Sequence, residues 1–155
     1  MLTINLPNKE QRLLVTALRR AGSREIGGIL MAEHVGHNEF TVRKLTIHKP
    51  GSFAYFVRRI DEIGQSLWGF FQVTKNEYER FNYLGEWHSH PSFPPYPSRT
   101  DDQSMLELIL DPKMAANFAV LIIVKLDVAG ALVGTAHTYL PDKTRHLSTL
   151  KLATR

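Results

Sequence analysis

The sequence predicts an α/β domain, a mixed β-sheet with helices packed against it, on three observations. Segments with apolar residues at helical spacing alternate along the chain with segments of strand length and composition, an order that builds a sheet covered by helices. The apolar run Phe118–Val124 and the segment Ala131–Tyr139 flank Asp127–Gly130, the pattern of a strand hairpin. The 155 residues, 43% hydrophobic and 22% charged, suit one globular domain that buries its own core.

Taken in order, Leu13, Leu14, Ala17 and Leu18 follow Pro7-Asn8 and stop at Ala21-Gly22, so residues 8–21 read as an amphipathic helix. The stretch from Glu25 to Ala32 reads as a largely buried strand. His34 to Asn38 turns into a second strand, Phe40 to His48, which Pro50-Gly51-Ser52 breaks. Ala54 to Val57 reads as a short strand. Ile63, Leu67, Phe70, Phe71, Tyr78 and Phe81 favour a helix from Asp61 to about Phe81, interrupted near Thr74. Tyr83 to His90 is a strand ending in a loop with four prolines, and Asp101 to Leu110 is a helix ended by Asp111-Pro112. Phe118–Leu126 and Ala131–Tyr139 are the two hairpin strands. Residues 1–155 form one domain, with a motif-bearing core over about 8–140 and a loose, polar and basic tail over 141–155.

Composition excludes several chemistries. There is no cysteine, hence no disulfide, thiolate metal site or cysteine nucleophile. Residues 1–20 are broken by Pro7, Lys9, Glu10 and Arg12 and do not read as a signal peptide, nor does any apolar run reach membrane-spanning length. A cytoplasmic protein is the expectation. The net charge of +4 is scattered among acids, which makes a nucleic-acid role a poor explanation beside a mildly basic solvated surface.

The informative segment is Gly85-Glu-Trp-His-Ser-His-Pro, followed by Ser98-Arg-Thr-Asp101. Side chains two apart on a strand share a face, so His88 and His90 project together and can converge on one ion. Asp101 returns from the start of the next helix as a third ligand. Two histidines and a carboxylate leave a tetrahedral position open, a catalytic rather than a structural arrangement. Singly, each piece has a plainer reading: hydrogen-bonded surface histidines, a proline ending an edge strand, a Ser-x-x-Asp helix start.

Together they are specific. His-x-His-Pro, six residues, Ser, two residues, Asp resembles the signature of the JAB/MPN (JAMM) metallopeptidases at every position, and Glu25-Ile-Gly-Gly28-Ile-Leu30 resembles the early glutamate motif of that family. The resemblance spans Glu25 to Tyr139. It implies a JAB/MPN fold, a curved mixed sheet in a cytidine-deaminase-like three-layer α/β/α arrangement. It implies one Zn2+ per chain held by His88, His90 and Asp101, with Glu25 as general acid–base and Ser98 donating to the oxyanion. The implied reaction is hydrolysis of a peptide or isopeptide bond after the C-terminus of a ubiquitin-like or tail-conjugated protein.

Alternatives stand beside these roles. Glu86 shares the histidine face and is the rival base. Asp102 is either an alternative ligand or a partner of the helix dipole. Trp87 and Ser89 point to the opposite face, and His34, His37, His48, His137 and His146 are scattered. Phe93, Tyr96 and the segment from Arg58 to the Glu86 strand are expected to border the substrate groove. Where deubiquitinases of the family carry Trp two residues before the first histidine, this chain has Glu86, and the Gly-Glu-Trp-His-x-His-Pro form resembles small bacterial JAB peptidases beside ubiquitin-like E1 and E2 proteins in CBASS-type anti-phage operons. The insertion after the aspartate by which some relatives grip polyubiquitin is missing. Trimming of a sulfur-carrier protein and a non-catalytic scaffold are the other readings.

Overall fold

A computed structural model describes residues 1–48 and 60–154. The break at Pro50–Ser52, the short strand read at 54–57 and Arg58 lie outside the described residues. The described elements are β1 (Thr3–Leu6), α1 (Asn8–Ala21), β2 (Gly27–Gly36), β3 (Glu39–Leu45), α2 (Ile60–Val73), β4 (Phe81–Ser89), α3 (Arg99–Leu110), β5 (Ala119–Leu126), β6 (Leu132–Tyr139) and β7 (Arg145–Leu152).

The strands join in the order β1-β3-β2-β4-β5-β6-β7, and β7 pairs with β1 to close a barrel. Pairing is mixed: β2 lies antiparallel to β3 and β4, while β4 and β5 run parallel. β4 therefore sits between two hydrogen-bonded neighbours, a rigid platform for the residues it carries.

Alternate residues of the central strands feed two cores, as a period of two requires. Leu30, Leu84, Val120, Ile122 and Val124 pack with Leu14 and Leu18 of α1 in one cluster. Ile29, Met31, Leu121 and Ile123 face the other way and pack with Phe70 of α2 and Met105, Leu108 and Ile109 of α3. The mixed sheet with helices packed on it is thus present, with barrel closure as the feature the sequence did not announce.

Two readings need correction. The tail from 141 is not loose: Arg145–Leu152 is β7, hydrogen-bonded to β6 and β1. The second helix stops at Val73, at the interruption read near Thr74, but does not resume toward Phe81, because Lys75 and Asn76 take positive φ of 55° and 58° and turn the chain out of the helix.

Gly28 and Gly85 are demanded by close approach. A Cβ on Gly28 would stand 1.9 Å from the Thr46 carbonyl oxygen, to which Trp87 Nε1 also donates at 2.8 Å. Gly85, at φ 151°, would meet the Val120 carbonyl oxygen at the same 1.9 Å. It sits where the β2–β4 register slips between Leu30 and Met31, a bulge that places Glu86 and the residues after it.

Candidate metal centre

His88 and His90 leave β4 on one face, at its end, both buried. Ser98 caps α3 and Asp101 is the third residue of that helix, so the loop between strand and helix brings the carboxylate back over the imidazoles. His88 Nε2 lies 3.4 Å from Asp101 Oδ1, and His90 Nε2 lies 3.3 Å from Asp101 Oδ2. One ligand atom from each of the three residues falls within 4.8 Å of the others.

The chemistry of these contacts fits a cation. His90 Nδ1 faces the Pro94 carbonyl oxygen at 3.1 Å; a carbonyl only accepts, so Nδ1 carries the hydrogen. In the neutral ring Nε2 then presents a lone pair to a carboxylate oxygen, which is repulsive unless something positive lies between. The separations exceed the 2.7–2.9 Å or so of a charge-assisted hydrogen bond. They match the edge of about 3.4 Å that a tetrahedron with bonds of about 2.0–2.1 Å requires. Burial pushes the His88 imidazole down to about 4, opposed by Asp101 and assisted by His90, which keeps its lone pair available at neutral pH. The residues present can hold a metal ion, and the donor set suits zinc.

Asp101 is fixed by a reciprocal cap: its Oδ2 accepts from the Ser98 backbone N–H at 2.6 Å, and its own N–H donates to Ser98 Oγ at 3.2 Å. The helix-start reading of Ser-x-x-Asp is thus present as a capping box, and that cap aims the Asp101 carboxylate at the two imidazoles. The next residue, Asp102, accepts from Tyr139 Oη at 2.7 Å and from Arg145 Nη1 at 2.6 Å. It ties the first turn of α3 to β6 and β7 and lies outside the ligand cluster. Sequence reasoning missed this clamp because Arg145 belonged to the supposed tail.

Glu25, His88, His90, Ser98 and Asp101 all line one cavity of about 540 Å³. Ser89 N donates to the Ile26 carbonyl at 2.8 Å, and Ile26 N donates to Ser89 Oγ at 3.0 Å. These two bonds extend the β2–β4 pairing beyond Gly27 and His88 and set Glu25 beside the end of β4. Ser89 thus serves the backbone, on the face away from the histidines. Glu25 is solvent-exposed. Glu86 lines the cavity too but is buried, with no hydrogen-bond partner for Oε1 among the described residues. Burial pushes its carboxyl up to about 8, a shift toward the protonated form. Trp87 faces the core, 1% exposed.

Phe93, Pro94 and Tyr96 form part of the cavity rim. Their loop is pinned by His90 on the Pro94 carbonyl, by Lys125 Nζ on the Phe93 carbonyl at 3.2 Å, and by the Thr135 hydroxyl on the Pro95 carbonyl. Among the described residues no helix is long and apolar enough to cross a membrane.

Barrel, helices and a cluster of two histidines and a carboxylate that could hold a metal ion together mark an α/β domain. Residues 7–143 match the family described as prokaryotic homologs of the JAB domain, and the chain belongs to that family. It is similar in structure to a protein from Desulfitobacterium hafniense solved in solution, at 18% identity and a TM-score of 0.62, with 98% of this chain and 94% of that one covered. That likeness speaks for the fold. No curated protein matches the sequence.

Proposed function

We propose that the protein is a zinc-dependent peptidase or isopeptidase that cleaves after the C-terminus of a ubiquitin-like or tail-conjugated protein. The observation that carries the reading is the convergence of His88, His90 and Asp101, at tetrahedral spacing, on a cavity that Glu25 and Ser98 also line. A zinc ion held by His88, His90 and Asp101 would supply Lewis acidity toward water and a carbonyl oxygen.

This chain's own residues do the rest. Glu25, exposed and beside the end of β4, takes the proton of the attacking water and returns it to the leaving amine. Glu86 is placed less well for that work, being buried. The Ser98 hydroxyl accepts from Asp101 N, which leaves its own hydrogen to donate to the oxyanion of the tetrahedral intermediate. Phe93 and Tyr96 line the cavity from a braced, proline-rich loop, a wall along which a thin glycine-ended tail can lie. Gene neighbours decide the pathway: E1- and E2-like genes favour anti-phage deconjugation, and sulfur-transfer genes favour carrier-protein trimming.

The test is cleavage of a ubiquitin-like fusion with glycine before the junction, against the same fusion carrying phenylalanine there and against unfolded casein. Cleavage at the junction, slowed by phenylalanine, is expected, with Glu25→Gln slower by about 100-fold or more while keeping fold and metal. Rapid digestion of casein with no junction preference, or loss of activity in Glu86→Gln but not in Glu25→Gln, contradicts the reading.

A further inference from the structure

On the other side of the Arg24–Ile26 segment from the metal cavity lies a second groove, of about 540 Å³. Leu13 and Ala17 of α1 form one apolar wall, and Ile26 and Ile47 the other. Leu13 and Ile47 are 44% and 46% exposed, so this surface is open, whereas Leu14 and Leu18 of the same helix are spent on the core.

The groove is ringed by one sign of charge. Lys9, Arg12, Arg20 and Arg24 line it and no acidic side chain does among the described residues. Glu10, on the same helix, is buried, and Glu25 lines the metal cavity instead. Arg24 is engaged, donating to the Ala21 and Arg20 carbonyls at 3.2 and 3.3 Å. Lys9, Arg12 and Arg20 have no side-chain partner among the described residues. They recur along α1 over about 16 Å, roughly three helical turns. An apolar seam flanked by unpaired cations is complementary to a helix with leucine-type residues on one stripe and carboxylates beside it.

We propose that this groove docks an acidic amphipathic helical segment of a partner protein. Its apolar stripe lies on Leu13, Ala17 and Ile47, and its carboxylates meet Lys9, Arg12 and Arg20. The proposal does not depend on the hydrolase reading, since it concerns binding alone. A partner held there sits alongside the metal cavity, because consecutive residues line the two spaces.

The experiment is fluorescence anisotropy of the full chain with a labelled helical peptide of about 14 residues, close to four turns, with leucines at i, i+4 spacing and glutamates flanking them. Saturable binding is expected. It should weaken about tenfold or more in Arg12→Glu/Arg20→Glu and in Leu13→Ser, while Lys143→Glu, on a distant turn, leaves it unchanged; melting curves confirm that each variant is folded. The idea is overturned if the peptide does not bind, or if polyglutamate or a scrambled peptide lacking the stripe binds as tightly. Displacement of the peptide by single-stranded DNA or by phosphatidylglycerol vesicles at lower concentration overturns it too.

Discussion

Asp101 serves two structures at once. One of its oxygens closes the helix cap and also faces His90, while the other faces His88. The fold therefore orients this carboxylate toward both imidazoles without help from a bound ion, which lowers the cost of assembling a metal site there. Ser98 is likewise both cap and candidate oxyanion donor, and substitution separates the two. Asparagine caps helices about as well as serine, whereas alanine costs about 0.5–2 kcal/mol. Ser98→Asn should hold the melting temperature near wild type, and Ser98→Ala should lower it. Both should lose activity, by about 100-fold or more if the hydroxyl stabilises the transition state. Thermal melting with initial rates checks this, and an active Ser98→Asn removes the hydroxyl from the mechanism. These residues were legible in the sequence because a spacing of two on a strand and three at a helix start fixes direction without knowledge of the fold. The braces behind them, Pro94 to His90 and Ser89 to Ile26, were not legible, because backbone acceptors leave no trace in residue type.

At the scale of elements, the site rests on how α3 is held against the barrel. The Asp102–Tyr139–Arg145 cluster fastens the first turn of α3, which also carries Asp101, to β6 and β7. Partners of this kind are worth about 10–100-fold in metal affinity. Arg145→Ala should stay folded and bind zinc about tenfold more weakly in a competition with a chelating dye. Arg43→Ala, far from the site, should leave affinity unchanged. Equal affinity in Arg145→Ala contradicts the clamp. The helices α1 and α3 were readable from apolar periodicity and from their caps. β1 and β7 were not: β1 has four residues, and β7 buries only Ser148, whose hydroxyl meets that of Thr138 at 2.7 Å. Tertiary pairing makes them strands, and local pattern does not.

For the whole molecule, closure of the sheet by β1 and β7 removes the exposed edges a small barrel would otherwise present. A second device ties β2 to its neighbours. Glu33 of β2 is buried and accepts from Arg43 of β3 at 2.7 Å and from Arg80, just before β4, at 2.8 Å. Burial alone would raise its carboxyl, yet the hydrogen bonds from Arg80 and Arg43 outweigh that and hold it below the ordinary 4.5. A depressed folded value contributes stability that is present above the unfolded value and lost as pH falls through the folded one. Glu33→Gln should cost about 1–3 kcal/mol at pH 7, since both arginines are partly solvated and rehydrate. The gap between wild type and variant should close as pH drops below the ordinary glutamate value. Urea unfolding at pH 7 and pH 3 measures it, and a gap that persists or widens at pH 3 contradicts the assignment.

Metal stoichiometry decides whether His88, His90 and Asp101 hold an ion. Purified wild-type protein, loaded with zinc and freed of excess, should carry close to one ion per chain by elemental analysis. His88→Ala, His90→Ala and Asp101→Ala should each lose it, because three protein ligands leave none to spare, and Glu25→Gln should retain it. Full zinc content in His88→Ala, or none in the wild type, would contradict the account.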